Sequence, residues 1–123
     1  MTRNDELARI VHLYFDGLQR KDLTEVPWAE DVKLRAPLAE GGAEVPLEGR
    51  EAVRAYLTAI LPVIASVEVE DCYVNGAGTA VMGKAVLTLV TGARLRVADL
   101  FVVDAAGQIT EQENHYDPRP ALG

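Results

Sequence analysis

The sequence predicts an α+β fold, a cone-shaped barrel made by a curved antiparallel sheet with N-terminal helices packed on its concave face. Two amphipathic helical segments lie in the first half of the chain, and four alternating, β-branched segments joined by short turns make up the second half. Strands joined in this way pair antiparallel, and helices that precede them cannot act as crossovers between them. Because a strongly twisted sheet curls, helices laid across it enclose a pocket.

Length, composition and charge are those of one ordinary globular domain, expected to span residues 1–123. The formal net charge of −7 argues against nucleic-acid binding, which needs a basic surface, and against adsorption to an anionic membrane. Cys72 is the only cysteine and cannot form an internal disulfide. The first residues lack the apolar stretch of a signal peptide, and no segment is apolar over the length of a membrane span. We therefore expect a cytoplasmic protein with no membrane partner.

The first helix is predicted by an apolar stripe with the spacing i, i+3, i+4 and i+7. Thr2 or Asn4 is expected to cap its start. A short helical turn is expected next, within residues 22–31, where Trp28 covers the core. The stripe consists of Leu7, Ile10, Val11, Tyr14, Phe15 and Leu18.

Two weaker extended segments, residues 31–37 and 43–49, are separated by a glycine-containing loop. Gly49 precedes a second amphipathic helix over residues 50–61, and Pro62 marks its end. The apolar face of this helix consists of Val53, Tyr56, Leu57, Ile60 and Leu61.

Four strands are predicted at residues 66–75, 79–91, 94–104 and 108–117, because apolar side chains alternate and turn residues separate the segments. The resulting sheet carries more apolar side chains than its core-facing side can hold, so its outer face needs cover. We therefore expect a homodimer formed through the sheet. The side chains that cannot all point inward are Val67, Val69, Val86, Leu100 and Val102.

Asp99 is the most informative polar residue, because it lies in a segment that is apolar on both faces of the predicted strand. An ionised carboxylate in such a place is costly unless it is paired. It should therefore either stay protonated with a raised pKa or pair with Arg94 or Arg96. Tyr14 lies in the middle of the first helix's stripe and is the natural companion of Asp99, since two neutral donors can converge on one oxygen. The alternative for Tyr14 is a core tyrosine bonded to a backbone carbonyl.

A resemblance to the nuclear-transport-factor-2-like superfamily rests on four stretches: IVHLYFDGLQRKDL, AEDVKLRAP, PLEGREAVRAYL and ADLFVVDAAGQITEQENHYDP. The likeness covers nearly the whole chain and is nearest to bacterial ketosteroid isomerases and SnoaL-like polyketide cyclases. It implies that Tyr14 and Asp99 are catalytic, as the tyrosine and the protonated aspartic acid of the isomerase oxyanion hole. Ala36 occupies the place of the isomerase's general base, and Leu57 stands where the isomerase has a supporting tyrosine.

In the last predicted strand, alternation separates two sets of polar side chains. The resemblance implies that Gln112, Asn114 and Tyr116 face the pocket and that the other set lies on the convex face, where relatives form dimers. The alternative is a solvated edge strand that carries no site. The outer set consists of Glu111, Glu113 and His115.

The expected function is that of an isomerase- or cyclase-type enzyme that needs no cofactor. Such an enzyme would act through an enolate on a small apolar molecule that contains a carbonyl group. The alternative is a non-catalytic binding protein for a small apolar ligand, which keeps the pocket but has lost the isomerase base. No metal site is expected, since His12 and His115 are isolated. The residues expected to contact the substrate are Trp28, Ala36, Tyr56, Val97, Phe101, Gln112, Asn114 and Tyr116.

Overall fold

The computed structural model covers residues 1–123 and contains two helices and a curved six-stranded sheet that does not close. The predicted α+β class is confirmed. Short 3₁₀ turns at Gly42–Glu44, Leu61–Val63 and Arg119–Leu122 complete the chain. The helices are α1 (Arg3–Arg20) and α2 (Arg50–Ile60), and the strands are β1 (Trp28–Arg35), β2 (Leu47–Glu48), β3 (Ile64–Val74), β4 (Ala80–Leu89), β5 (Arg94–Val103) and β6 (Ile109–His115).

The sheet has the strand order β2-β1-β6-β5-β4-β3, so β2 and β3 are its free edges. All neighbours pair antiparallel except β1 and β6, which are parallel. The sheet is therefore mixed at this one seam. Alternating strands and short turns predict hairpin partners only, whereas β1 reaches β6 through a long connection that contains α2 and the four strands β2 to β5. A connection of that length can deliver a parallel partner.

Helix α1 begins at the first of the two predicted caps. Thr2 Oγ1 accepts a hydrogen bond from the Asp5 backbone at 3.0 Å, and the Asp5 carboxylate accepts one from the Thr2 backbone at 3.3 Å. The pair forms a capping box. The helix ends at Arg20, and its capping residue Lys21 adopts a left-handed φ of 64°. Every residue of the predicted stripe is buried. Neither helix of the fold combines the length and apolar character needed to cross a membrane.

The helical turn predicted within residues 22–31 is wrong, because β1 already begins at Trp28. The Asp22 carboxylate accepts hydrogen bonds from the Thr24 backbone at 3.0 Å and from the Thr24 hydroxyl at 2.7 Å, which forms a local turn in place of a helix. Pro27 further disfavours a helical conformation at Val26. Trp28 is 1% exposed and covers the core as predicted.

Helix α1 crosses β4 at Gly83, where the two elements come unusually close. A Cβ atom at Gly83 would lie 2.7 Å from Val11 Cγ1 and 2.8 Å from Phe15 Cε2. Only glycine fits at this crossing. The contact also identifies the face of β4 that carries Gly83 as the inner, core-facing side of the sheet.

Helix α2 follows Gly49, whose φ of 97° is accessible without strain only to glycine. It packs on β1, while α1 lies over β3 and β4. Val53 and Leu57 fix α2 to the core, and both are fully buried. The two helices cover different parts of the inner face, and a cavity remains between them and strands β4, β5 and β6.

The outer face of the sheet carries three of the five apolar residues that could not all point inward. Val67 pairs with Leu87 and Val69 with Ala85 on the inner side, where both valines pack partly buried against the core. The outer residues are Val86, Leu100 and Val102. One chain by itself does not test the homodimer, which stays a prediction.

Candidate functional site

The cavity between the helices and the sheet has a volume of about 440 Å³. Of the 20 residues that line it, 15 are hydrophobic. The charged and aromatic polar groups among them come from α1, α2, β5 and the end of β6. A small, mostly apolar molecule with one polar group matches such a lining. The titratable and amide side chains in the cavity wall are Tyr14, Tyr56, Asp99, Asn114 and Tyr116.

Tyr14 reaches the cavity from the buried stripe of α1. Its ring packs edge-on against Phe15 and Phe101, with ring centroids 5.1 Å and 5.2 Å away. Burial raises the pKa of the Tyr14 phenol well above its ordinary value, and Asp99 acts in the same direction. Hydrogen bonding by Gln112 and Asn114 partly opposes this rise in pKa. The phenol is therefore a neutral donor at physiological pH.

Asp99 lies on the inner side of β5 and is 3% exposed. Its Oδ1 atom is buried and has no hydrogen-bond partner. Desolvation raises the pKa of the Asp99 carboxyl well above its ordinary value, although the His115 backbone amide opposes the shift. Arg94 and Arg96 alternate with Asp99 and lie on the outer face, so the predicted alternative of an ion pair with either arginine is wrong. A neutral carboxyl group beside a cavity can donate a hydrogen bond to a ligand.

Two carboxamides of β6 lie next to this pair. Gln112 Nε2 donates to Asn114 Oδ1 at 3.0 Å, and Gln112 Oε1 accepts from Trp28 Nε1 at 2.9 Å. Asn114 is directly opposite Asp99 in the β5–β6 ladder, where side chains of facing residues have Cβ atoms about 5 Å apart. The alternative of a solvated edge strand is wrong, because β6 is flanked by β1 and β5. The outer set of β6 includes an exposed pair in which His115 Nε2 lies 3.1 Å from Glu113 Oε1.

Tyr56 and Tyr116 form a second polar pair in the cavity wall. Burial raises the pKa of both phenols, and the two hydroxyl groups are close enough to influence each other's pKa. The proximity of Tyr56 and then of Asp99 raises the pKa of Tyr116 further. Both tyrosines remain neutral and can contact a ligand.

Six of the ten site residues predicted from the sequence line the cavity, and four do not. The other four are buried in the core behind the lining: Trp28, Ala36, Phe101 and Gln112. Ala36 is 0% exposed, so the position of the isomerase base offers neither a proton acceptor nor access to the cavity. The six that line it are Tyr14, Tyr56, Val97, Asp99, Asn114 and Tyr116.

Sequence reasoning missed the aliphatic wall of the cavity. Alternation in β4 and β5 would have identified part of it, because Leu95 lies on the same side of its strand as Asp99. The mouth, which includes Leu38, Val63 and Pro120, lies in segments without periodicity, and no pattern indicates it. No group of three or more His, Cys, Asp or Glu side chains is arranged to hold a metal ion. The missed inner wall includes Leu18, Ile60, Ile64, Leu87, Leu89 and Leu95.

Solved structures with the same fold include enzymes and a steroid-ligand complex. A steroid delta-isomerase from Pseudomonas aeruginosa is 21% identical, with 95% of this chain and 83% of that chain covered and a TM-score of 0.77. The epoxide hydrolase/cyclase-like enzyme SalBIII, which acts in pyran ring formation in the polyether salinomycin, is 16% identical, with 95% of each chain covered and a TM-score of 0.77. RV0760c from Mycobacterium tuberculosis, solved with estradiol-17beta-hemisuccinate, is 16% identical, with 91% and 94% covered and a TM-score of 0.74.

At these identities the likenesses show the fold alone, and other neighbours are proteins of unknown function. None of the curated proteins matches the chain in sequence. The family model of the SnoaL-like domain matches residues 11–112, which is most of the chain. The helices, the curved sheet and the enclosed cavity agree with this match, and the chain belongs to the SnoaL-like domain family.

Proposed function

We propose that the protein is a cofactor-independent enzyme that acts on an uncharged, mostly apolar carbonyl compound. One observation supports this proposal above all: Asp99, whose buried Oδ1 has no hydrogen-bond partner, lines an apolar cavity that Tyr14 also lines. A carbonyl oxygen that accepts from both groups satisfies them and leaves the apolar part of the substrate against the aliphatic wall.

The chemistry proposed for this pair is stabilisation of an enolate or of another oxyanion. Two neutral donors in a site that excludes water stabilise negative charge as it develops, without having to reorganise. Removal of one such donor typically costs about 3 kcal/mol of transition-state stabilisation. The raised pKa of each group keeps it protonated and ready to donate at neutral pH.

No carboxyl side chain other than that of Asp99 lines the cavity. Glu40 and Glu44 are exposed and do not line the cavity, and Ala36 offers only a methyl group. A water molecule or a basic group of the substrate must therefore take the proton. A cyclisation, in which the substrate carries its own nucleophile to the activated carbonyl carbon, requires no nucleophile from the protein.

The test is proton exchange next to a carbonyl group in an apolar ketone of suitable size. We expect the protein to accelerate deuterium uptake at the α-carbon of 1-tetralone in D₂O, followed by NMR. Tyr14→Phe and Asp99→Leu should each reduce the exchange rate about 100-fold to 1000-fold. Asp99→Asn keeps a donor and should lose less. Because both groups act on one oxygen, the two losses should not add.

The second candidate function is that of a binding protein for a small apolar ligand. The absence of a base at Ala36 favours it, and the steroid conjugate bound to RV0760c is an instance of a ligand held by this fold. A binding protein would take up 1-tetralone without accelerating exchange, and Tyr14→Phe would change its affinity only. Exchange no faster than that of the Tyr14→Phe/Asp99→Leu double variant would contradict the enzymatic proposal.

A further inference from the structure

A chain of hydrogen bonds runs from the core to the polar end of the cavity. Trp28 Nε1 donates to Gln112 Oε1 at 2.9 Å, and Gln112 Nε2 donates to Asn114 Oδ1 at 3.0 Å. Trp28 and Gln112 are each 1% exposed and lie behind the cavity wall, whereas Asn114 is part of that wall. This series of hydrogen bonds connects the buried indole of Trp28 on β1 to Asn114, a side chain that a ligand can contact.

The direction of this chain is set at its buried end, because an indole N–H can only donate a hydrogen bond. Gln112 must therefore turn its carbonyl oxygen to Trp28, which leaves its amino group for Asn114. Asn114 accepts this hydrogen bond with its Oδ1 atom, so its amino group is turned away from Gln112. The reverse orientation of Gln112 would bring two N–H donors together and leave the indole unsatisfied, which is costly in a buried site.

We propose that Trp28 and Gln112 are positioning residues that orient the Asn114 amino group as a third hydrogen-bond donor to the ligand oxygen, beside Tyr14 and Asp99. This inference rests on the function proposed above for the same cavity. It is supported by the position of Asn114, which faces Asp99 across the β5–β6 ladder and lines the cavity.

The Asn114 amino group has two N–H bonds, which suits a double role. The carboxamides of Gln112 and, to a smaller extent, Asn114 favour the ionised form of Tyr14 and so lower its pKa, as expected of groups that can donate to the phenol oxygen. A donor on that oxygen leaves the Tyr14 proton for the ligand, and the second N–H of Asn114 is then free to donate to the same ligand oxygen. The ligand class follows: a ketone or enolate oxygen, which can accept from several donors, is preferred over a hydrocarbon of the same shape.

The experiment compares the affinities of 1-tetralone and tetralin, which share a ring skeleton and differ in the carbonyl group. Their affinity ratio, measured within each variant, isolates the polar end of the cavity from general effects on folding. Asn114→Leu should lower the ketone-to-hydrocarbon ratio about tenfold, and Trp28→Phe, which removes only the indole N–H and part of the ring, about threefold. Val32→Ala is the matched control, a buried apolar change on the same strand that should leave the ratio unchanged. An unchanged ratio in both Trp28→Phe and Asn114→Leu overturns the inference.

A second measurement uses the wild-type protein and needs no substitution. The side-chain amide resonances of Asn114 should shift in ¹⁵N–¹H NMR spectra when 1-tetralone is added and should not shift with tetralin. Ketone binding that leaves these resonances unmoved also overturns the inference. The two proposals can fail separately. Without proton exchange the enzymatic function is lost while the ketone preference remains, whereas a ketone preference that depends on Tyr14 and Asp99 alone removes the roles of Asn114, Gln112 and Trp28 and leaves the enzymatic proposal standing.

Discussion

Asp99 illustrates how one buried carboxyl group sets both the chemistry and the stability of a site. Apolar side chains flank it on the inner side of β5, and its Oδ1 has no partner. Desolvation penalises the charged form, so the folded chain holds the Asp99 proton more tightly than the unfolded chain does. The property that makes Asp99 a donor therefore makes its ionisation destabilising.

The pH dependence of stability should reveal this proton. Because the folded state binds more protons than the unfolded state above the ordinary Asp pKa of about 3.9, stability falls as pH rises toward the raised pKa of the folded state. The contribution of Asp99 to the slope can reach about 1.4 kcal/mol per pH unit. Asp99→Asn should remove this slope and be more stable than wild type at neutral pH, as measured by urea unfolding at a series of pH values.

The control for this measurement is Asp31→Asn, which changes an exposed carboxylate of β1. It should leave the slope of stability against pH close to that of wild type. Parallel curves for wild type and Asp99→Asn would mean that Asp99 is ionised in the folded state, and the oxyanion-hole proposal would then fail.

At this scale the sequence predicts side chains whose position follows from periodicity. Strand alternation groups Asp99 with Leu95 and Val97, and helix spacing predicts Tyr14 in the buried stripe. The pocket-facing side of Asn114 is what the resemblance to known proteins implies. The same patterns do not tell a residue in the cavity wall from one behind it. Trp28 and Phe101 face inward as expected, yet they do not line the cavity. Whether an inward-facing side chain reaches the cavity depends on how the two helices pack on the sheet.

The crossing of α1 over β4 is a very close contact, and it positions the face of α1 that carries Tyr14. Gly83 allows Val11 and Phe15 to approach the strand backbone. Tyr14 precedes Phe15 on the same helix, so the distance between α1 and the sheet also sets where the Tyr14 hydroxyl lies. A single methyl group at Gly83 would push the helix outward.

Gly83→Ala should therefore destabilise the fold by about 1–3 kcal/mol, the usual cost of overpacking a core. The matched control is Gly76→Ala, since no atom lies within 4 Å of the position that its Cβ would take. That control should change the free energy of unfolding by less than about 0.5 kcal/mol. Chemical denaturation of the two variants provides the comparison, and equal effects would show that the crossing is not tightly packed.

Elements with strong local signals could be predicted, and those that depend on distant partners could not. The stripe of α1 and the Gly49 start of α2 are local features that the sequence predicts, and Thr2 is one of the two caps that it predicts. The parallel seam between β1 and β6 has no local signal, since neither strand contains information about which partner it meets. The segment at Asp22 was mistaken for helix because its side-chain hydrogen bonds to Thr24 are not visible in hydropathy.

On the scale of the whole molecule, the outer face of the sheet is a surface that a partner could cover. Its apolar residues Val86, Leu100 and Val102 lie on neighbouring strands. Glu70 on β3 forms ion pairs with Lys84 and Arg96 at 3.8 Å and 3.9 Å next to them. An apolar centre flanked by charges of both signs suits contact with a second copy of the same face.

We propose that the chain forms a homodimer through this face. Sedimentation velocity at high micromolar concentration should give about twice the chain mass of 13.3 kDa. Leu100→Glu places a charge at the apolar centre and should yield the monomer, because an unpaired buried charge is costly in an interface. His12→Glu, on the exposed side of α1, should leave the dimer intact. A wild-type protein that sediments as a 13.3 kDa species would contradict the proposal.

The parallel seam also has a consequence for how the protein folds. The hydrogen bond from Trp28 to Gln112 joins residues 84 positions apart, and the intervening chain includes strands β3, β4 and β5. Closing so long a loop adds little to the equilibrium cost, about 0.6 kcal/mol for each doubling of length, but non-local pairing slows folding. The β3–β4–β5 meander can form from local contacts, whereas the polar end of the cavity requires β1 and β6 to meet. Recovery of ketone binding during refolding should therefore lag behind recovery of β-sheet circular dichroism.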